Sequence, residues 1–212
     1  MFDMLRPLRP TWQLSAFEPY ISTETMFVHV DKLHKGYVDK LNAKVPAHIL
    51  SLAPSYVLGN ISSFFSGEMQ DFYRDMMGGN VAHTLLWKSI TPLPQTKTHL
   101  PSIGMSADAL RQKIADEGLA RFGSGWVWGA LAPHRGFILY STRNHDTPYM
   151  RGHTPVFCVD LWEHAYFLDQ HGNRKAWLEN ICAFLDLDFI EDRARSLLRG
   201  QPDALDGWVL NQ

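Results

Sequence analysis

The sequence predicts an α+β protein: an α-helical first half joined to a smaller second half built around a three-stranded antiparallel sheet. Three observations carry this reading. Apolar residues recur at three- and four-residue steps over 22–44, and a second helical pattern runs over 68–88. Beyond residue 122 the pattern shortens to three β-rich runs separated by turn residues. Between the halves, Ile90–Ser102 holds three prolines with several Thr and Ser and reads as a linker.

Each element follows from local chemistry. Residues 1–20, punctuated by Pro7, Pro10 and Pro19, lack periodicity and read as an extended arm. Ser22 is a good N-cap, and Glu24 suits the positive end of a helix dipole. The stripe Met26, Phe27, Val30, Leu33, Tyr37, Val38 and Leu41 then marks an amphipathic helix ending near Lys44–Pro46, with His29 beside it. Residues 47–66 are poorly patterned. The helix over Glu68–Lys88 is expected to weaken or break at Gly78–Gly79. Ser106 caps a helix over Ser106–Phe122, and strands are expected at Trp126–Leu131, Gly136–Thr142 and Val156–Asp160. Helix returns over 163–169 and 174–199.

Composition narrows the function. Of 212 residues, 45% are apolar and 20% charged, so the chain is globular rather than disordered. A net charge of −2 excludes a general electrostatic grip on nucleic acid but allows a small basic funnel. The longest uncharged windows, Met76–Trp87 and Gly123–His134, fall short of the roughly 20 residues that span a bilayer. No export signal is read at the N-terminus, so a soluble chain is expected. Two cysteines, Cys158 and Cys182, suit a reducing compartment.

Ten histidines direct attention to metal binding. Asp160 closes a predicted strand and His164 follows four residues later, a spacing that lets a strand-end carboxylate and the next helical turn meet at one ion. His29 and His83 lie on mostly apolar faces of two predicted helices. Taken singly, each is as well explained as a hydrogen-bonded core residue. Together they allow a His/carboxylate site, with iron or manganese preferred over zinc because no Cys is placed to help.

Longer strings are more specific. Residues 160–166, DLWEHAY, resemble the signature of the iron/manganese superoxide dismutases. So do Glu18–Ser22, the run HVDKLHKGYVDKLN from His29 to Asn42, Asn80–Trp87, Phe122–Trp128 and Ser141–Pro148, in the same order along the chain. The likeness covers most of the sequence and is weakest over 46–75. It implies an N-terminal helical hairpin (1–91) and a C-terminal α/β domain (92–212) with a three-stranded antiparallel sheet, the metal lying between them. One iron or manganese ion per subunit would be held by His29, His83, Asp160 and His164, with solvent at a fifth position. Superoxide would be converted to dioxygen and hydrogen peroxide as the metal cycles between +3 and +2.

The resemblance also assigns supporting roles. Tyr37 matches the gateway tyrosine; Trp87, Trp126 and Trp128 would line the site; Lys32 and Arg174 match basic positions near the substrate funnel. Where the family usually offers a glutamine to the bound solvent, this chain has Gly79 in the first half and His145 in the second, so His145 takes that role. Leu33 and Phe167 stand where the family has a His–Tyr pair across its dimer interface, implying an apolar contact there and a proton network shortened at Tyr37. Cys158 shares a strand face with Asp160, a placement from which it would influence metal preference, but a small buried filler is the better explanation. Glu163 would cross a two-fold axis to the metal-ligand His164 of a second copy, making a homodimer the minimum assembly and a tetramer the larger alternative. Leu5–Pro10 resembles the arm with which mature members begin, and a cytoplasmic location follows. The competing reading is a non-catalytic interaction protein on the same fold, which retention of all four ligand types opposes. An iron oxygenase would need more open metal positions than three histidines and an aspartate leave.

Overall fold

The structure, a computed structural model, describes residues 4–210; residues 1–3 and 211–212, the extremities of the predicted arm and second domain, lie outside the described residues. Ser22 starts the first helix as expected, its hydroxyl accepting the Thr25 backbone N–H. The helix is not uniform. It runs as α1 (Thr23–Phe27), a π-helical segment (Val28–His34) and α2 (Lys35–Lys44). The π segment, which α-periodicity does not foresee, turns the buried face. His29, Val30 and His34 point inward, while Leu33 is half-buried and Phe27 is exposed, although both belong to the α-periodic stripe.

The poorly patterned stretch folds as three short helices, α3 (Ala47–Leu50), α4 (Pro54–Gly59) and α5 (Ile61–Phe64). Then comes α6 (Gly67–Ser89), which is continuous. The expected break at Gly78–Gly79 does not occur. These glycines serve close approach instead: a Cβ on Gly78 would lie 2.1 Å from the His145 carbonyl oxygen, and one on Gly79 would lie 3.1 Å from the Tyr37 ring. The first helix and α6 run antiparallel, since His29 meets Trp87, Tyr37 meets Gly79 and Lys44 meets Phe72. The arm docks on this hairpin, with Leu5 exchanging two hydrogen bonds with the Asn42 amide.

The linker contains a two-residue strand, β1 (His99–Leu100), paired with β2 (Met105–Ser106). Ser106 then caps α7 (Ala107–Ala120). The predicted antiparallel sheet forms from β3 (Gly125–Ala132), β4 (Gly136–Arg143) and β5 (Thr154–Asp160), in the order β4-β3-β5. Central β3 is buried on both faces except at Leu131, and β5 stacks against α6, so the sheet's inner face meets the hairpin. After a 3-10 turn at Glu163–Ala165 come α8 (Phe167–Gln170), α9 (Arg174–Ala183), α10 (Leu187–Leu198) and α11 (Ala204–Leu210). The helical stretch expected over 174–199 thus forms as two helices. Asp186 interrupts it, capping α10 through the Phe189 N–H while its own N–H bonds the Ser89 carbonyl. Among the described residues no helix is long and apolar enough to cross a membrane.

Candidate metal centre

Four donor groups converge where the hairpin meets the sheet. His29 comes from the π segment, His83 from α6, Asp160 from the end of β5, and His164 from the following 3-10 turn. One ligand atom from each lies within 4.8 Å of the others. Asp160 Oδ2 sits 3.1 Å from His29 Nε2, 3.1 Å from His164 Nε2 and 3.9 Å from His83 Nε2. Asp160 and His83 are 0% exposed, so neither is a solvated surface group.

The protein aims these atoms. Asp160 pairs with Trp126 across the sheet, its carbonyl accepts the Trp177 indole N–H at 2.7 Å, and its Oδ1 accepts the Trp162 N–H at 2.8 Å. Only Oδ2 is left facing the imidazoles. His83 Nδ1–H donates to the Gly79 carbonyl at 2.7 Å, which leaves the Nε2 lone pair pointing inward. That Nε2 is buried with no hydrogen-bond partner among the described residues. An orphaned acceptor beside a carboxylate oxygen and two more imidazoles fits a cation, because all four atoms can donate lone pairs to one centre. Burial alone would raise the Asp160 pKa, yet His164 and His29 beside it hold the carboxyl well below the usual range.

Around the ligands lies an aromatic shell. Trp87 packs edge-on to His29 (4.8 Å between centroids), Trp126 edge-on to His83 (5.0 Å), and Trp162 stacks on His145 at 4.6 Å. Trp128 stands one layer back, donating to Thr142 Oγ1. His145 is buried, its Nε2 2.9 Å from the Tyr37 hydroxyl and its Nδ1 accepting from Trp126 Nε1 at 3.3 Å. The Tyr37 and His145 rings lie 5.4 and 6.3 Å from that of His83, centroid to centroid.

The remaining sequence candidates are more dispersed. Cys158 is buried and donates to the Ala82 carbonyl at 3.2 Å, one residue from ligand His83; burial pushes its thiol well up. Lys32 is exposed, its ammonium over the Phe27 ring. The Arg174 guanidinium is held by the Arg121, Gly123 and Leu161 carbonyls and the Tyr166 hydroxyl. Leu33 is half-buried, and Phe167 is 53% exposed. Glu163 is exposed, and its carboxylate has no partner among the described residues.

Sequence reasoning missed His34 and Asn80. His34 is fully buried and bonds Asn80 Oδ1 through Nε2. It lies inside the quoted HVDKLHKGYV run, but residues five apart diverge on an α-helix, so only the π turn puts it on the face of His29.

Burial also sets an acid limit. It pushes His34 and His145 down to about 4 and holds His29 and His83 below their ordinary value. In the unfolded chain these groups titrate near ~6.5. Between those values the unfolded chain binds more protons, so stability is fully present above about pH 6.5 and is lost as pH falls towards 4. Metal binding weakens in the same direction, because ligand imidazoles must be neutral. The thermal midpoint and metal content of the loaded protein should fall together across that window; a midpoint flat from pH 7 to 4.5 would contradict this account.

A largely buried three-histidine, one-carboxylate centre at the junction of a helical hairpin and an α+β domain defines a mononuclear metalloprotein. Residues 5–91 match the alpha-hairpin domain of the iron/manganese superoxide dismutases, and residues 97–193 match their C-terminal domain. The chain is 31% identical over 184 residues to the superoxide dismutase [Mn] of Thermus thermophilus, covering 84% of this chain and 90% of that protein. It is 30% identical over 190 residues to that of Pseudomonas putida, covering 87% and 94%. It is 29% identical over 194 residues to the superoxide dismutase [Mn/Fe] of Methylomonas sp. strain J, again covering 87% and 94%. The chain belongs to the iron/manganese superoxide dismutase family.

Proposed function

We infer that the chain converts superoxide to dioxygen and hydrogen peroxide at one iron or manganese ion held by His29, His83, Asp160 and His164. The observation that carries this reading is the buried convergence of four donor atoms with His83 Nε2 left unpartnered. An iron or manganese ion held by these four residues would supply one-electron chemistry between +3 and +2, by which one superoxide would leave as dioxygen and a second, taking up two protons, as hydrogen peroxide. Elemental analysis with superoxide consumption, before and after loading with each metal, tests this. Stoichiometric metal with activity supports the reading; metal without activity would favour the non-catalytic alternative.

The chain's own part is electrostatic and protonic. The Asp160 carboxylate offsets charge at the centre, and the tryptophan shell limits water. Because the Trp126 indole can only donate, His145 Nδ1 accepts, and the neutral ring carries its proton on Nε2. Nε2–H then donates to the Tyr37 oxygen, leaving the phenol proton free for the reacting centre. Burial raises the Tyr37 pKa, which keeps that proton in place at neutral pH. His145 thus acts on bound solvent through the Tyr37 hydroxyl rather than directly. His145→Ala should lower turnover about 10–100-fold and shift the reduction potential; unchanged potential and activity would sink this role. Lys32, exposed near the hairpin surface, supplies positive charge for steering an anion, with the fixed guanidinium of Arg174 adding to it. Cys158 acts on the centre only indirectly, through its bond to the Ala82 carbonyl one residue before His83.

The functional unit is a homodimer in which Glu163 bonds His164 of a second copy and Leu33 meets Phe167 as an apolar contact. The exposed, unpartnered carboxylate and the exposed Phe167 ring support this. A sedimentation mass of one chain would overturn it, and a mass of four chains would extend it. The two domains divide at 91/92, and the two free, buried cysteines support a cytoplasmic location.

A further inference from the structure

We propose that His34 is a positioning residue for the metal centre, bracketing ligand His83 from the opposite helix of the hairpin. The proposal rests on the metal reading above. His34 contributes no ligand atom, yet it is a fully buried imidazole, and burying one is costly unless both nitrogens are satisfied. Both are. Trp87 Nε1 donates to His34 Nδ1 at 3.0 Å, and an indole nitrogen can only donate. Nδ1 therefore accepts, the neutral ring carries its proton on Nε2, and that N–H donates to Asn80 Oδ1 at 2.9 Å. One tautomer and one ring orientation satisfy the pair.

The two partners sit three residues before and four residues after His83, on the same face of α6. His34 spans them, and its ring lies nearly parallel to that of His83, centroids 5.5 Å apart and planes 16° apart. The Gly79 carbonyl fixes one atom of His83. Stacking on a ring that is itself pinned at both nitrogens fixes the plane, and so the direction of the orphaned Nε2. Through Trp87 the same bracket also holds the wall packed against the second ligand, His29. The π segment makes this geometry available, since it carries His34 round to the face of His29.

The test uses manganese-loaded protein, reading the rate of metal loss to a chelator and the visible spectrum of the oxidised form beside the urea midpoint. His34→Phe keeps a ring against His83 but loses both hydrogen bonds. It should shed metal about tenfold faster or more and show a shifted spectrum. Leu41→Ala, a buried change in the same hairpin away from the ligands, should lower the urea midpoint without moving either metal readout. Should His34→Phe fail to fold, Asn80→Ala removes one of the two bonds and should move the same readouts in the same direction by a smaller factor. Wild-type metal retention and spectrum in both His34→Phe and Asn80→Ala would overturn the proposal, as would equal acceleration in Leu41→Ala. Wild-type protein that takes up neither metal would overturn the metal reading itself, and the role of His34 with it.

Discussion

Asp160→Asn is expected to weaken metal binding at least about 100-fold and to remove superoxide consumption, while the fold persists. Groups one shell out from a metal typically change affinity or activity by about 10–100-fold, so a direct ligand should exceed that range. The substitution is nearly isosteric. Its carbonyl oxygen can still accept the Trp162 N–H, and the backbone carbonyl still accepts from Trp177. What disappears is the negative charge on Oδ2, the atom that faces all three imidazoles within 3.9 Å. Without it, three neutral nitrogens must hold the cation in a buried place with no compensating charge. Elemental analysis of purified Asp160→Asn, with a urea midpoint to establish folding, checks this. A folded variant with full metal content would show that the carboxylate is not a ligand.

Gly78→Ala is the second large effect, and it should act on stability and on the site together. The added methyl would lie 2.1 Å from the His145 carbonyl oxygen and 3.1 Å from its carbonyl carbon. Both are backbone atoms, so no side-chain rotation relieves the clash. Either α6 or the loop carrying His145 must retreat, at a cost of about 1–3 kcal/mol. Retreat of the loop separates His145 Nε2 from the Tyr37 hydroxyl, now 2.9 Å away. Gly36→Ala is the matched control. It lies within α2 with nothing among the described residues within 4 Å of the new methyl, so it should be neutral or stabilise by about 0.5–1 kcal/mol. Urea midpoints and turnover for the two variants test the pair of predictions. Equal stability in Gly78→Ala and Gly36→Ala would refute the close-approach account.

Much of the centre was legible because its residues come in compact strings. Asp160 and His164 fall within seven letters, and the Ser22 and Ser106 caps announced their helices. The misreadings share a cause. Gly78–Gly79 looked like a helix break because low helix propensity is a local property, whereas the approach of His145 and Tyr37 is not. The division of the helical stretch over 174–199 at Asp186 is not visible locally, because Asp186 reads as an ordinary helix-surface residue until its N–H is seen on Ser89, nearly a hundred residues away in sequence. His34 was passed over because α-periodicity assigns it to another face.

By itself, then, the sequence determined the order and kind of the main elements and the identities of His29, His83, Asp160 and His164. Residue type and local period suffice for the elements; the four residues stand out through the family resemblance of the strings that carry them. Only the tertiary structure decided that His83 Nε2 is an orphan, that Asp160 turns one oxygen to Trp162 and the other to the imidazoles, and that Trp87 and Trp126 each set the tautomer of a neighbouring histidine. The physical reason is directional. A lone pair or an N–H acts over about 3 Å along one line, and that line is drawn by backbones far apart in the chain that come together only on folding.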